Sequence, residues 1–331
     1  MSTASPIPET WELTGDDARR TLLGRGRRGL LSDAFLRLRA ADGFSHARST
    51  AFLVTLLLVQ AVIALVGLAV AVGDTRVSSG IVTSVRNAVP GPAGELLTAA
   101  VDQASSVGHS RRFLGLAVGV VGTLVSGTTV IGQLERSLNR IYGIELDRPL
   151  RQKYGRAVLL ALALGALVSF GFVAIGFGAA VGENLRNGWI SNTWAVLRWP
   201  LGVGVTSAAM ALLFRWCPRR HQPSWSWLAY GSTVSVLLWV AVTLAMGLVF
   251  RVSSSFGQTY GSLAGIVALQ LWSLLSTVAV LYGGAVAAQL EAVRAGEPGP
   301  CIEPSERDGP PTAPVDELPV AREAVAPLVT G

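Results

Sequence analysis

Six cations fall between Leu134 and Arg156 of this 331-residue chain: Arg136, Arg140, Arg148, Arg151, Lys153 and Arg156. Guanidinium groups present planar forks of N–H donors that match phosphate and carboxylate oxygens, so such a cluster suits capture of an anionic headgroup. Asn139 and Arg140 are expected to touch that headgroup, and Arg148 to fix the loop. A structural reading stands beside each: Asn139 ordering the loop, the arginines anchoring topology. Covalent chemistry fits the residues less well. RNA cleavage needs positioned acid and base groups or a bound metal, yet His46, His109 and His221 are scattered, and Glu135, Glu145 and Asp147 are the compact carboxylates near the cluster. Glu145 and Asp147 read as partners of the surrounding arginines. No catalytic residue, metal ligand or cofactor is expected. Gly24–Gly29 formally spells GxGxxG, but no strand precedes it and arginines fill the spacer, which speaks against a dinucleotide site.

The elements that position these residues follow from charge and hydropathy. Half of the chain is hydrophobic and 15% is charged, where a soluble domain carries about 25% charged residues. The apolar residues form long runs rather than amphipathic stripes. The fold class expected is therefore an all-α polytopic membrane protein. Uncharged runs cover 49–73, 113–134 and 157–182, a weaker span starts near Trp194, and two more cover about 227–250 and 263–288. About 20 residues cross a bilayer at 1.5 Å per residue, so this gives six transmembrane helices. Pro200 is placed in the first turns of span four. Between the first two spans, apolar residues at helical spacing on either side of Pro90-Gly91-Pro92 predict two amphipathic helices on the outer surface.

Positive loops stay cytoplasmic, so the cation cluster sets the orientation. Both termini are expected on the cytoplasmic side of the membrane. An Arg-rich arm covers 1–48, solvated or touching lipid headgroups, with Ala34–Leu38 able to start a short interfacial helix. The membrane domain covers 49–290, and a disordered tail covers 291–331. Cys217 and Cys301 fall on the reducing side and are expected as free thiols.

The excess of 27 basic over 21 acidic residues comes from arginine, since Lys153 is the one lysine. Anionic membrane lipids are the expected partners, and nucleic acid is not. A second copy of the chain or other membrane proteins remain open as partners, because Gly115 with Gly119 and Gly261 with Gly265 serve packing within or between chains equally well. A lipid path needs cations at both leaflets and polar atoms between them. Arg198 and Arg251 supply the outer cations, Ser126, Thr128 and Thr129 the lining, and Tyr260, Gly261 and Ser262 a broken entry to span six. Hydroxyls bonded back to their own helix are the structural alternative for the lining residues.

Several segments in a fixed order resemble the YihY/BrkB family of bacterial inner-membrane proteins. They are Val89-Pro90-Gly91-Pro92, Ser137-Leu138-Asn139-Arg140-Ile141-Tyr142-Gly143 with Arg148, Arg198-Trp199-Pro200-Leu201, Cys217-Pro218-Arg219-Arg220, and Tyr260-Gly261-Ser262-Leu263-Ala264-Gly265 ahead of Leu271-Trp272. The resemblance covers roughly residues 30–294. It implies an envelope-integrity and virulence-associated group, some of whose members carry a ribonuclease BN label. Ala285 and Ala287 stand where the family pattern has Glu and Asn. Two functions are expected to compete: binding or translocation of an anionic lipid or other amphiphile, and a non-transporting envelope scaffold.

Overall fold

The computed structural model describes residues 4–72, 91–96, 99, 112–184, 188–252, 262–297 and 299–301. They belong to one compact unit, Met1–Cys301. The described residues are helical apart from turns, loops and one antiparallel bridge between Ala4 and Cys301. In chain order the helices are α1 (Gly15–Arg25), α2 (Arg27–Ala40), α3 (Gly43–Val72), α4 (Arg112–Ile141), α5 (Leu150–Asn184), α6 (Gly188–Trp216), α7 (Trp225–Val252) and α8 (Ser262–Arg294).

Each long helix overruns its apolar run at one or both ends. Arginine, glutamate and glutamine are good helix formers, so nothing in residues 135–140 or 289–294 stops a helix that hydrocarbon has started. Among the described residues, four stretches are long and apolar enough to cross a membrane: Gly43–Leu65, Leu116–Ile141, Trp225–Phe250 and Leu263–Arg294. A shorter apolar stretch, Pro200–Trp216, lies in α6. The helix around it starts at Gly188, so Pro200 sits in the helix interior rather than in its first turns. Large apolar side chains face outward along these helices, among them Val121, Val125, Leu159, Leu237, Leu244 and Leu248. Lipid tails are the solvent that tolerates such a surface.

α3 lies along α4, α8 against α7 and α3, α4 against α5, α5 against α6, and α6 against α7. The α3–α4 contact is close because Gly119 faces backbone: a Cβ there would stand 2.6 Å from the Ala64 nitrogen. Amide and hydroxyl groups bridge the long helices. Ser126 Oγ donates to Gln60 Oε1 at 2.7 Å, and Thr55 Oγ1 lies 3.0 Å from Gln270 Oε1 and 3.2 Å from Ser273 Oγ. Of the amphipathic connection expected between the first two spans, 92–96 is helical and packs Ala93 in a cluster with Met246, Leu269 and Trp272. The rest of that connection lies outside the described residues.

Two expectations need correction. The first 48 residues are not merely a solvated arm. Thr14 caps α1, its N–H donating to Asp17 Oδ2 at 3.1 Å, and α2 buries Leu30, Ala34, Arg37 and Leu38. That i, i+4, i+7, i+8 face packs on α8. Arginine on the buried face hides the period from a reading by hydropathy. Nor does the folded part end at 290: Leu290, Glu291 and Ala292 are fully buried in α8, and the chain packs as far as Cys301.

Candidate functional site

The end of the bundle that carries the basic loops is tied together by two polar networks. The first begins where α4 stops. Ile144 N–H donates to Asn139 O at 2.8 Å and Gly143 N–H to Arg140 O at 3.1 Å, the paired bonds of a Schellman cap. The cap needs a left-handed residue, and Gly143 supplies it at φ +73°. The same glycine admits Pro6, whose Cα lies 2.5 Å from where a Cβ would be.

Asn139 is fully buried at this turn. Its Oδ1 accepts the Arg219 backbone N–H at 2.8 Å, and its Nδ2 donates to Asp147 Oδ1 at 3.3 Å. Asp147 also accepts from Arg136 Nε at 3.1 Å and Lys153 Nζ at 2.9 Å. Partial burial raises the Asp147 carboxyl, but these three donors outweigh it and hold the group down at about 2. Arg148 donates to Cys217 O at 2.9 Å and Pro218 O at 2.7 Å, and pairs with buried Glu135 at 2.9 Å. The two basic loops, 142–149 and 217–224, are thereby joined. Cys217 is buried between them, and burial pushes its thiol upward.

Arg148→Lys tests this joint. Lysine keeps the charge but cannot fork across two carbonyls and a carboxylate, so the change should cost about 1.5–3 kcal/mol. The probe is Cys217, which should react faster with a thiol reagent in the folded protein. Unchanged Cys217 protection would show that Arg148 does not hold the loops together.

The second network lies under residues 4–13. Arg37 is fully buried, and its Nε donates to Gln289 Oε1 at 2.7 Å. Its other donors reach the carbonyls of Ser5 at 2.8 Å, Ile141 at 3.3 Å and Gly299 at 3.5 Å. Burial pulls this guanidinium down to about 10. Arg220 is 2% exposed, lies 4.6 Å from the Tyr142 ring centroid and pairs with fully buried Glu291 at 2.5 Å. Thr10 donates to the same Glu291 oxygen.

The candidate residues named from the sequence do not form a single site. Asn139, Arg140 and Arg148 share the α4–α5 turn. Ser126, Thr128 and Thr129 lie about 20 Å along α4 from it, at 1.5 Å per residue. Thr128 and Thr129 return their hydroxyls to Leu124 O and Val125 O of their own helix, while Ser126 bonds across to α3. Asn139 has no surface to offer a headgroup. Tyr260 and Gly261, and the side chains of Arg198, Arg251 and Ser262, lie outside the described residues. The sequence assigns no site role to Arg37, Arg220, Glu291, Gln60 or Gln270. The signal available for Arg37 was its position in register with Leu30, Ala34 and Leu38.

With this geometry in place, comparison with known proteins decides the family. A family model described as virulence factor BrkB matches residues 34–305. The chain belongs to the BrkB family. Among similar proteins are the putative ribonuclease-like protein YfkH of Bacillus subtilis, 23% identical over 53% of this chain and 65% of that protein, and the UPF0761 membrane protein RSc1559 of Ralstonia nicotianae, 26% identical over 63% of this chain and 46% of that protein. A UPF0761 membrane protein of Verminephrobacter eiseniae is 30% identical over 55% of this chain and 43% of its own length. The alignments thus cover less than two thirds of each of these relatives. No solved structure matches. In this BrkB-family chain, Ala285 and Ala287 are fully buried, and Ala287 Cβ lies 2.8 Å from where a Gly231 Cβ would be. A longer polar side chain has no room at Ala287 without moving α7.

Proposed function

We propose that this BrkB-family protein binds an anionic lipid or similar amphiphile and moves it between the leaflets of a bacterial inner membrane, in support of envelope integrity. The reading takes the chain as six spans with both termini cytoplasmic. The observation that carries it is the set of amide–hydroxyl pairs inside the apolar bundle, Gln60 with Ser126 and Thr55 with Gln270 and Ser273, above an end lined with arginines. Polar side chains in hydrocarbon cost free energy, and paired groups between helices offer a route along which a headgroup exchanges one partner for the next. Arg140, on the last turn of α4, is the inner-side contact proposed for the headgroup, with Arg198 its outer counterpart.

A ribonuclease reading, suggested by the name of the Bacillus subtilis relative, has less support from the residues. His46 lies beside Gln133 and His221 pairs with exposed Glu9, and the two are engaged with different elements. The protein is read as a non-enzyme.

Purified protein in liposomes with a fluorescent phosphatidylglycerol tests the proposal. Leaflet redistribution should exceed that of protein-free vesicles and of a phosphatidylcholine probe, and Arg140→Ala should slow it about tenfold, the cost of one charge-assisted contact. Absence of any headgroup-dependent movement, with crosslinks to envelope proteins persisting, would replace translocation by a scaffold role.

A further inference from the structure

Residues 4–13 run as a strap over the basic end of the bundle, and their bonds are mostly backbone bonds. Ser5 N–H donates to Pro300 O at 3.3 Å beside the Ala4–Cys301 bridge, and Ile7 N–H donates to Tyr142 O at 3.4 Å. The strap's carbonyls point at two arginines. Ser5 O takes Arg37 Nη1 at 2.8 Å, Ile7 O takes Arg220 Nη1 at 3.3 Å, and Pro8 O takes Arg220 Nη2 at 2.8 Å.

These arginines are short of negative charge. Among the described residues no carboxylate lies within ion-pair distance of Arg37, whose hydrogen-bond partners are an amide and three carbonyls. A buried cation compensated only by neutral oxygens is costly unless something anionic completes it. Among the described residues Arg220 has one carboxylate within ion-pair distance, Glu291, while its buried Nε has no hydrogen-bond partner. The two buried guanidiniums thus share one buried carboxylate, Glu291, and the other carboxylate near Arg220 is Glu9 of the strap itself, which is half-exposed and pairs with His221. Ser5 and Ile7 are two residues apart, so the carbonyls they present are separated by no more than about 7 Å. Guanidinium forks match phosphate oxygens, so a phosphate-bearing anion can take the donors that these carbonyls hold.

We infer that Arg37 and Arg220 form a binding site for a phosphate-bearing anion, and that the strap is its built-in occupant, its Ser5, Ile7 and Pro8 carbonyls holding the donors that phosphate oxygens take when the strap lifts. The ligand class rests on the anionic-amphiphile reading above. The site itself rests on these contacts.

One substitution makes the strap switchable. Ala4 pairs with native Cys301 across an antiparallel bridge, where facing Cα atoms stand about 4.5–5.5 Å apart, inside the range a disulfide spans. In full-length Ala4→Cys protein, oxidation locks the strap and reduction frees it. Binding is measured in detergent with inorganic pyrophosphate and short-chain phosphatidylglycerol as probes, against short-chain phosphatidylcholine. The reduced protein should bind at least one anionic probe about tenfold more tightly than the oxidised protein, and Arg37→Gln should remove about tenfold of that affinity. Gln retains amide donors at this position, and unchanged protection of buried Cys217 from a thiol reagent checks that the variant is folded. A gain for phosphatidylglycerol alone identifies a lipid headgroup, and a gain for pyrophosphate alone a free phosphate anion. Equal affinity in the two redox states, or affinity indifferent to Arg37→Gln, overturns the inference. If leaflet movement is found but is insensitive to the lock and to Arg37→Gln, the strap site falls and translocation stands. If redox-dependent anion binding is found without leaflet movement, the site stands and translocation falls.

Discussion

Glu291→Ala should destabilise the protein by about 3–5 kcal/mol, the range for removing one member of a buried ion pair. Glu291 is fully buried and Arg220 is 2% exposed, so the arginine left behind keeps its charge without water to screen it. Thr10 loses the acceptor of its N–H and hydroxyl in the same step, which frees the strap from α8. The loss therefore combines an orphaned charge with two orphaned donors. Removing both charges behaves differently. An Arg220→Met, Glu291→Leu double variant has nothing ionic to strand and should recover most of the lost stability. Reaction of Cys217 with a thiol dye during thermal unfolding, in a Cys301→Ser background, follows both variants. A single variant as stable as the parent would mean that Glu291 is not the counter-ion of Arg220. A double variant no better than the single would mean that the loss comes from Thr10 and packing.

That pair also marks the border between what the sequence discloses and what it conceals. Hydropathy runs locate α3, α4, α7 and α8 to within a few residues at their apolar ends, because lipid imposes a long uncharged stretch that nothing else in a chain imitates. Composition is a poorer guide at the basic end. Arg37, Arg220 and Glu291 read as solvated charges or topology anchors because charge usually means exposure, and their burial depends on partners about 70 to 250 residues away in sequence. By composition Glu291 reads with the Gly- and Pro-rich segment that follows it, whereas α8 carries it one turn past the apolar run. For Asn139 the motif was visible and the choice of role was not. An amide can face a ligand or close a loop with the same spacing, and only the positions of Asp147 and the Arg219 N–H decide for the loop. Gln60 and Gln270 sit inside uncharged runs, where a neutral amide leaves the hydropathy pattern unbroken.

Gly283→Ala should be the most damaging single methyl that can be added to the α7–α8 contact. Gly231 and Ser235 on α7 face Gly283 and Ala287 on α8, small residues at i and i+4 on both helices, the pattern that lets backbones touch. A Cβ on Gly283 would overlap Ser235 Oγ and stand 2.5 Å from Gly231 O. A serine hydroxyl can rotate away or be deleted, but a carbonyl locked in a helix cannot, so α7 and α8 must separate along the contact that also buries Ser232, Ser235 and Ala287. Overpacking of this kind costs about 1–3 kcal/mol, and the backbone obstacle puts Gly283→Ala at the upper end. Ser235→Ala isolates the two obstacles. Added to Gly283→Ala, it should return part of the stability and no more, since Gly231 O remains in place. Thermal unfolding of the two single variants and the double variant measures the partition. Full rescue by Ser235→Ala would place the whole strain on the hydroxyl, and tolerance of Gly283→Ala alone would mean that the helices are farther apart than these contacts require.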